Sequence, residues 1–240
     1  MDEVSLAGRD LAGQVVFGFP SSVSMVLSVP LAETVRLEAP RIRLRAVEAM
    51  SGFIRDWLME GAVDLAILYD TAGLVGCEIT PLMTEGLKFY CAADAWPFDS
   101  APGTPVPLAH AAAQELVLPS ANHGLRMLID RSCRSIDAAP NVVVEMDSLT
   151  QILSLVARGS AATILAPAAA EAHLAANGMI GADILDPAIR RQVHLVRKAD
   201  RTLTRATREV EAMTLNIMRE LVRRNLWPGE LIAEGQIHPA

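Results

Sequence analysis

Gly13-Gln-Val-Val-Phe-Gly-Phe19, closed by Pro20-Ser21-Ser22, opens the stretch that decides the fold. The run is apolar and β-rich, and the proline and serines after it mark the turn into a helix. Val23, Leu27, Leu31 and Val35 then recur at near-helical spacing as far as Pro40. A helix follows, kinked or split where Pro30 removes a backbone donor. Arg41-Ile-Arg-Leu-Arg-Ala-Val47 alternates with period two and reads as a strand. Ser51 can cap a helix that runs through Met59 and stops at Gly61. Asp64-Leu-Ala-Ile-Leu-Tyr69 is apolar without alternation, as in a strand covered on both faces of a parallel sheet. The first 70 residues therefore read β-α-β-α-β, the start of an α/β fold.

Beyond it lie two apolar runs, Glu78 to Met83 and Leu87 to Ala92, and then a loop from Asp94 to Pro107 with four prolines. A second alternating series begins after the loop. Strands are expected at Leu116-Val-Leu118, Asn141-Val-Val-Val-Glu145 and Ala162-Thr-Ile-Leu165. Helices are expected from Gly124 to Cys133, Ser148 to Arg158 and Pro167 to Ala176, the last with proline in its first turn. Val193-His-Leu-Val196 reads as a further strand. The last helix carries Leu203, Ala206, Val210, Met213, Ile217 and Leu221 on one stripe and ends before Pro228. Two β-α series imply two small lobes. Open parallel sheets bind ligands outside the carboxyl ends of their strands, so a cleft between two such lobes is the natural site.

Composition narrows the function classes. The chain has 240 residues, 51% of them hydrophobic and 20% charged, which excludes a disordered or fibrous protein. No run of about 18 apolar residues appears, which excludes a membrane-spanning helix. The start, MDEVSLAGRD, has no basic or apolar segment of a signal peptide, and Cys77, Cys91 and Cys133 are too few for a disulfide framework. The chain therefore reads as cytoplasmic, with no membrane partner. Net charge is −7, but residues 190–224 hold ten basic groups against four acidic ones. That segment reads as a solvated helix face, because acids and apolar residues lie among the bases. Nothing in it looks like a DNA-reading unit.

The strand-to-helix junctions repeatedly carry small hydroxyl or amide residues: Ser21-Ser22, Ser51, Ser120-Ala-Asn122-His123 and Met146-Asp147-Ser148. Helix starts present unpaired N–H groups and partial positive charge, so converging starts suit a carboxylate or another anion. Each residue alone reads equally as an ordinary helix cap, and Ser148 with Gln151 fits a capping box. No nucleophile motif, glycine-rich phosphate loop, paired histidine or CxxC is present, so no catalytic residue, metal or cofactor is assigned. Of the five histidines, His123 is the one placed at the site, and His194 reads as a structural strand residue. The cysteines read as small packed hydrophobes.

The whole pattern resembles the effector-binding domain of a LysR-type transcriptional regulator. The opening strand and loop to Ser21 match, as do Pro30-Leu31 and Ala39-Pro40, and Gly61-Ala-Val-Asp-Leu-Ala-Ile67 is similar to the family's G-x-x-D-x-A-I signature. Pro81-Leu82 with Glu85-Gly-Leu87, and Asp186-Pro-Ala-Ile-Arg190, resemble the segments that pass between its lobes. Glu145-Met-Asp-Ser148, Val156-Ala-Arg-Gly159 and Thr163-Ile-Leu-Ala-Pro167 match its second lobe. The match runs from about residue 13 to 224. Leu118-Pro-Ser and His123-Gly-Leu-Arg126 look most like the branch of nitrogen-assimilation-control regulators. One departure is Gly159-Ser-Ala161, where the family usually has Gly-x-Gly.

The resemblance implies a type II periplasmic-binding-protein-like fold of two Rossmann-like lobes joined by two crossing strands. Lobe I is expected at 13–86 plus 190–224 and lobe II at 87–189, with 1–12 a linker remnant and 225–240 a C-terminal tail. It implies a small, anionic metabolite as effector, held by Ser21, Ser22, Ser51, Ser120, Asn122, His123, Met146, Asp147 and Ser148. A carboxylate repels an anion, so Asp147 is assigned to capping or to an effector amine. Side-by-side homodimers of the domain, tetramers of the full regulator, and DNA contact only through a winged helix-turn-helix missing from this chain are implied as well. The chain accordingly reads as a piece starting at the linker's end, with Met1 added. The competing readings are a solute-binding protein of a transporter, which needs export, and an enzyme, which needs a nucleophile and base.

Overall fold

A computed structural model describes residues 11–174, 178–200 and 203–232. The chain forms two compact units, one made of the described residues up to Thr84 and from Gln192 onward, the other of Glu85–Arg191. The linker remnant (but for Leu11 and Ala12), Ala175 and Ala176 of the expected helix, Arg201, and residues 233–240 of the tail lie outside the described residues.

The first unit is built on a six-stranded sheet, in the order β12-β4-β11-β3-β1-β2. Its strands are β1 (Gly13–Phe19), β2 (Ile42–Glu48), β3 (Leu65–Leu68), β4 (Cys77–Gly86), β11 (Arg190–Lys198) and β12 (Glu230–Leu231). β1 runs parallel to β2 from Gly13↔Ile42 to Phe19↔Glu48, and parallel to β3 at Phe17↔Leu65. β11 runs antiparallel to β3, pairing His194 with Leu68. The unalternating apolar run is explained by burial: all four residues of β3 are covered on both faces.

Helix α1 joins β1 to β2 in three pieces: an α-turn at Ser21–Val23, a π-turn at Ser24–Ser28 and an α-segment at Val29–Glu38. The expected break at Pro30 thus takes the form of a wider turn just before it. There the ring would otherwise meet the preceding turn's carbonyls, and the Ser28 hydroxyl donates to the Ser24 carbonyl at 2.6 Å. Helix α2 (Ser51–Glu60) joins β2 to β3 and ends on left-handed Gly61, as expected. Helix α7 (Arg205–Arg223) is capped by Thr204, whose hydroxyl accepts the Thr207 N–H at 3.0 Å. Its buried stripe differs from the expected one, since Thr214 and Met218 are buried and Ile217 only half-buried. Thr214 can be buried because its hydroxyl donates to the Val210 carbonyl at 2.7 Å.

Residues 225–240 read as a tail, yet Trp227 is fully buried and β12 pairs with β4 at Leu231↔Met83. Gly229 permits that approach: a Cβ there would lie 2.8 Å from the Thr84 carbonyl oxygen. A two-residue strand after Pro-Gly leaves no periodic trace in sequence.

The second unit holds a four-stranded sheet, β6-β10-β5-β9, and a parallel pair, β7-β8. These are β5 (Lys88–Ala92), β6 (Val106–Pro107), β7 (Leu116–Leu118), β8 (Val142–Glu145), β9 (Thr163–Leu165) and β10 (Met179–Leu185). A bridge between Leu116 and Ala162 links the two groups. Four helices pack around them: α3 (Leu108–Ala113), α4 (Gly124–Arg134), α5 (Leu149–Ala157) and α6 (Pro167–Leu174). The core gathers Phe89, Leu118, Ile129, Val156 and Ile164. β6, α3 and β10 were not expected, the last because Gly181 interrupts its apolar run. That glycine is there for packing, since a Cβ would lie 2.5 Å from the Tyr90 ring.

Candidate functional site

In the first unit the candidates sit where β1 and β2 end. Ser21 and Ser22 are the first residues of α1, after Pro20, and both are half-buried. The Ser22 hydroxyl and the Tyr69 phenol share a hydrogen bond of 2.6 Å. Tyr69 directly follows β3, so this bond ties the carboxyl ends of β1 and β3 together. Ser51 was expected as a cap and is not one. Met50 occupies the cap position, no side chain caps that helix, and Ser51 is already its first helical residue. The hydroxyl is thereby left beside the helix start.

In the second unit the junctions after β7 and β8 meet. Asp147 Oδ1 accepts both the Ser120 backbone N–H at 2.9 Å and the Ser120 hydroxyl at 2.8 Å. Asp147 therefore clamps the neighbouring junction instead of capping α5, a correction to its expected capping role. These bonds, the backbone one first, hold its carboxyl below the usual carboxylate range, with a smaller push from His123. Satisfied by two donors, the carboxylate repels an anion less than a bare one does.

The expected capping box at Ser148 and Gln151 does not form. Ser148 is at the cap position without a side-chain cap, and its hydroxyl lies 3.2 Å from that of Thr150. With Asp147 drawn to Ser120, its successor faces its own helix's hydroxyl. Met146 continues the pairing by donating its N–H to the Leu118 carbonyl at 2.9 Å, while its side chain packs on the core. Asn122 is exposed at the turn before His123.

His123 caps α4, and its Nδ1 accepts the Leu125 N–H at 3.1 Å. With Nδ1 an acceptor, the neutral ring carries its proton on Nε2. Burial pushes the ring's pKa below the ordinary 6.5, Asp147 opposes that, and Arg191 adds to it. At pH 7 the ring is a neutral Nε2–H donor. Ser120, His123 and Asp147 consequently do not form a nucleophile relay. Ser120 gives its hydrogen to the carboxylate, and the histidine's lone pair is spent on a backbone amide.

Three residues outside the expected set hold this face in place. Arg126 donates to the Pro119 carbonyl at 3.1 Å, to Glu145 at 2.8 Å and to Asp130 at 3.0 Å, so it joins β7, β8 and α4. Arg191, at the start of β11, donates from Nε and Nη2 to Glu85 Oε1, both at 2.7 Å. That pair is almost completely buried, with side-chain exposures of 7% and 0%. All three lay in stretches the sequence singled out, Arg191 in the basic segment 190–224, and none of those stretches marked them as anchors.

Two open cavities lie elsewhere. One, of about 310 Å³, is lined by Asp64, Arg197, Lys198, Thr204 and Thr207, and one of about 270 Å³ by Cys91, Gln114, Glu115 and Ser160 among others. Neither contains any of the nine candidates. Among the described residues no three His, Cys, Asp or Glu side chains gather as metal ligands, and no helix is long and apolar enough to cross a membrane.

The family model for the LysR substrate binding domain matches residues 8–218. The nitrogen assimilation regulatory protein nac of Klebsiella aerogenes is 28% identical over 217 residues, covering 90% of this chain and 69% of that protein. Among solved structures, the effector binding domain of QuiR in complex with shikimate superposes with a TM-score of 0.76 at 19% identity, covering 88% of this chain and 99% of that one. The Synechocystis PCC6803 CcmR regulatory domain in complex with 2-PG gives 0.77 at 15% identity, covering 87% and 99%.

Proposed function

The chain belongs to the LysR substrate-binding-domain family, and from that premise we propose that it senses a small carboxylate- or phosphate-bearing metabolite for a cytoplasmic, DNA-binding transcriptional regulator. The observation that carries the effector chemistry is the pair of hydroxyl-bearing junctions tied to neighbouring strand ends, Ser22 with Tyr69 and Ser120 with Asp147. Each fixes a helix start at the carboxyl end of a strand, and a helix start carries partial positive charge.

On this reading the effector-contacting residues are Ser21, Ser22, Ser51, Ser120, Asn122, His123 and Ser148, with His123 giving its Nε2–H. Met146 and Asp147 hold the second junction in shape, and Asp147 is available to an effector hydroxyl or amine. The QuiR and CcmR structures, in complex with shikimate and 2-PG, support a metabolite of this kind. That the relatives include transcriptional regulators supports a regulatory role over catalysis. The domain works as a homo-oligomer and reaches DNA through a module outside this chain.

The test is a thermal-shift screen of the protein against carboxylate and phosphate metabolites, with shikimate and 2-PG among them. A true effector at 100 times its Kd contributes about 2.7 kcal/mol, which raises Tm by about 5–10 °C in a chain of this size. Ser120→Leu should abolish the shift. A hit whose shift survived both Ser120→Leu and Ser22→Leu would place binding elsewhere and overturn the proposal.

A further inference from the structure

We propose that His123 makes the start of α4, and through it the Ser120–Asp147 clamp, responsive to a single proton. The inference deepens the effector reading by giving that junction a regulator, and its test needs no effector. It rests on which ring atom does the capping. Nδ1 accepts the Leu125 N–H at 3.1 Å, with the His123 backbone extended at φ −79° and ψ 133°. An imidazole accepts through Nδ1 only while neutral, because the cation carries a hydrogen on both nitrogens. Cap and protonation exclude each other, and a protonated ring leaves the Leu125 amide without its partner.

The backbone around the ring is held independently of the cap. The His123 N–H donates to the Ser120 carbonyl at 2.9 Å, and the Met127 N–H donates to the His123 carbonyl at 3.0 Å. Protonation therefore turns the ring more readily than it unravels the chain. The charged groups whose fields reach the ring are Asp147, from the junction before α5, and Arg191, from β11. Arg191 is a cation paired with Glu85, so the anion open to a new imidazolium N–H is Asp147. Asp147 Oδ1 already holds both Ser120 donors. An imidazolium that turns to it draws on the same carboxylate charge as the two Ser120 donors and so weakens their bonds, which passes the change from the cap to the clamp. Burial and the Arg191 charge favour the neutral ring, so the change falls on the acid side of 6.5.

The experiment is an NMR titration of the whole chain from pH 8 to pH 4.5, reading the His123 ring nitrogens and the protection factor of the Leu125 amide. The wild type should show a neutral Nε2–H tautomer and a midpoint below 6.5. Its Leu125 protection should fall about fivefold across that midpoint, as expected for losing an N-cap worth ~1 kcal/mol. His123→Asn supplies a capping oxygen that does not titrate, so its Leu125 protection should stay constant. His123→Ala should show the low value at every pH, and should it fold poorly the other two proteins still decide the matter. Unchanged Leu125 protection through the wild-type titration, or a neutral proton on Nδ1, would overturn the proposal. A chain that showed the titration yet bound no metabolite would keep the switch and lose the effector reading.

Discussion

The pair formed by Glu85 on β4 and Arg191 on β11 gives the sharpest test of how the second unit is held. The two residues lie 106 positions apart, both guanidinium bonds go to one carboxylate oxygen, and both side chains are out of water. Replacing Glu85 by leucine takes this carboxylate away from a buried guanidinium. Removing one partner of a buried pair costs about 3–5 kcal/mol. In a chain of this size each kcal/mol moves Tm by about 2–4 °C, so Glu85→Leu should lower it by about 6–20 °C. Arg191→Met should cost a similar amount, because it takes the guanidinium away from a buried carboxylate. The double variant removes both charges, and apolar replacements of similar volume are often close to neutral. Its Tm should return to within about 4 °C of wild type, a residual ~1 kcal/mol. The assay is calorimetry of the four proteins as a double-mutant cycle. A double variant as unstable as the sum of the two single losses would refute the reasoning, because the residues would then be acting through packing and not through their charges.

Other consequences are simpler to measure. Gly229→Ala would put a Cβ 2.8 Å from the Thr84 carbonyl oxygen, so β12 must detach or shift. Overpacking of this kind costs about 1–3 kcal/mol in chemical denaturation, and an unchanged midpoint would contradict the close approach. Acid should weaken the fold. His194 is 7% exposed with Nδ1 lacking a hydrogen-bond partner, and burial lowers its pKa as it does that of His123. Because the unfolded chain binds these protons more tightly, stability is complete above 6.5 and falls as pH drops from there toward the lower folded values. Denaturation midpoints that stayed level from pH 7 to pH 5 would contradict this. Burial raises all three thiols, Cys91 up to about 11, but Cys77 is only half-buried whereas Cys91 and Cys133 are out of reach of a reagent. A thiol reagent at pH 8 should modify one cysteine ahead of the other two, and mass mapping should find it at Cys77.

How far the sequence carried depended on distance along the chain. Local signals read well: β7 falls at Leu116–Leu118 as expected, and α4 starts at Gly124. Strand β10 was missed because Gly181 breaks its pattern, and the reason for that glycine, the Tyr90 ring, is 91 positions away. The junctions were legible as places. Their bonding was not, because Ser22 meets Tyr69 across 47 residues and Ser120 meets Asp147 across 27. Cap rules misplaced Ser51, and they placed Ser148 at the cap position without the side-chain bond they imply. A serine before a helix can be its cap or its first residue, and only the backbone angles at Met50 distinguish the two at Ser51. Arg191 and Glu85 carried no sequence signal as a pair, since ion pairing between distant strands leaves no spacing to read.

The effector site itself can be tested most directly by mapping amide shifts when the metabolite found by thermal shift is titrated into the protein. The account predicts saturable changes at residues 20–23, at Ser51, from Ser120 to Leu125, and from Asp147 to Leu149. Changes confined to the cavity lined by Asp64, Arg197, Lys198, Thr204 and Thr207 would contradict it, and would move the binding site away from the hydroxyl-bearing junctions altogether.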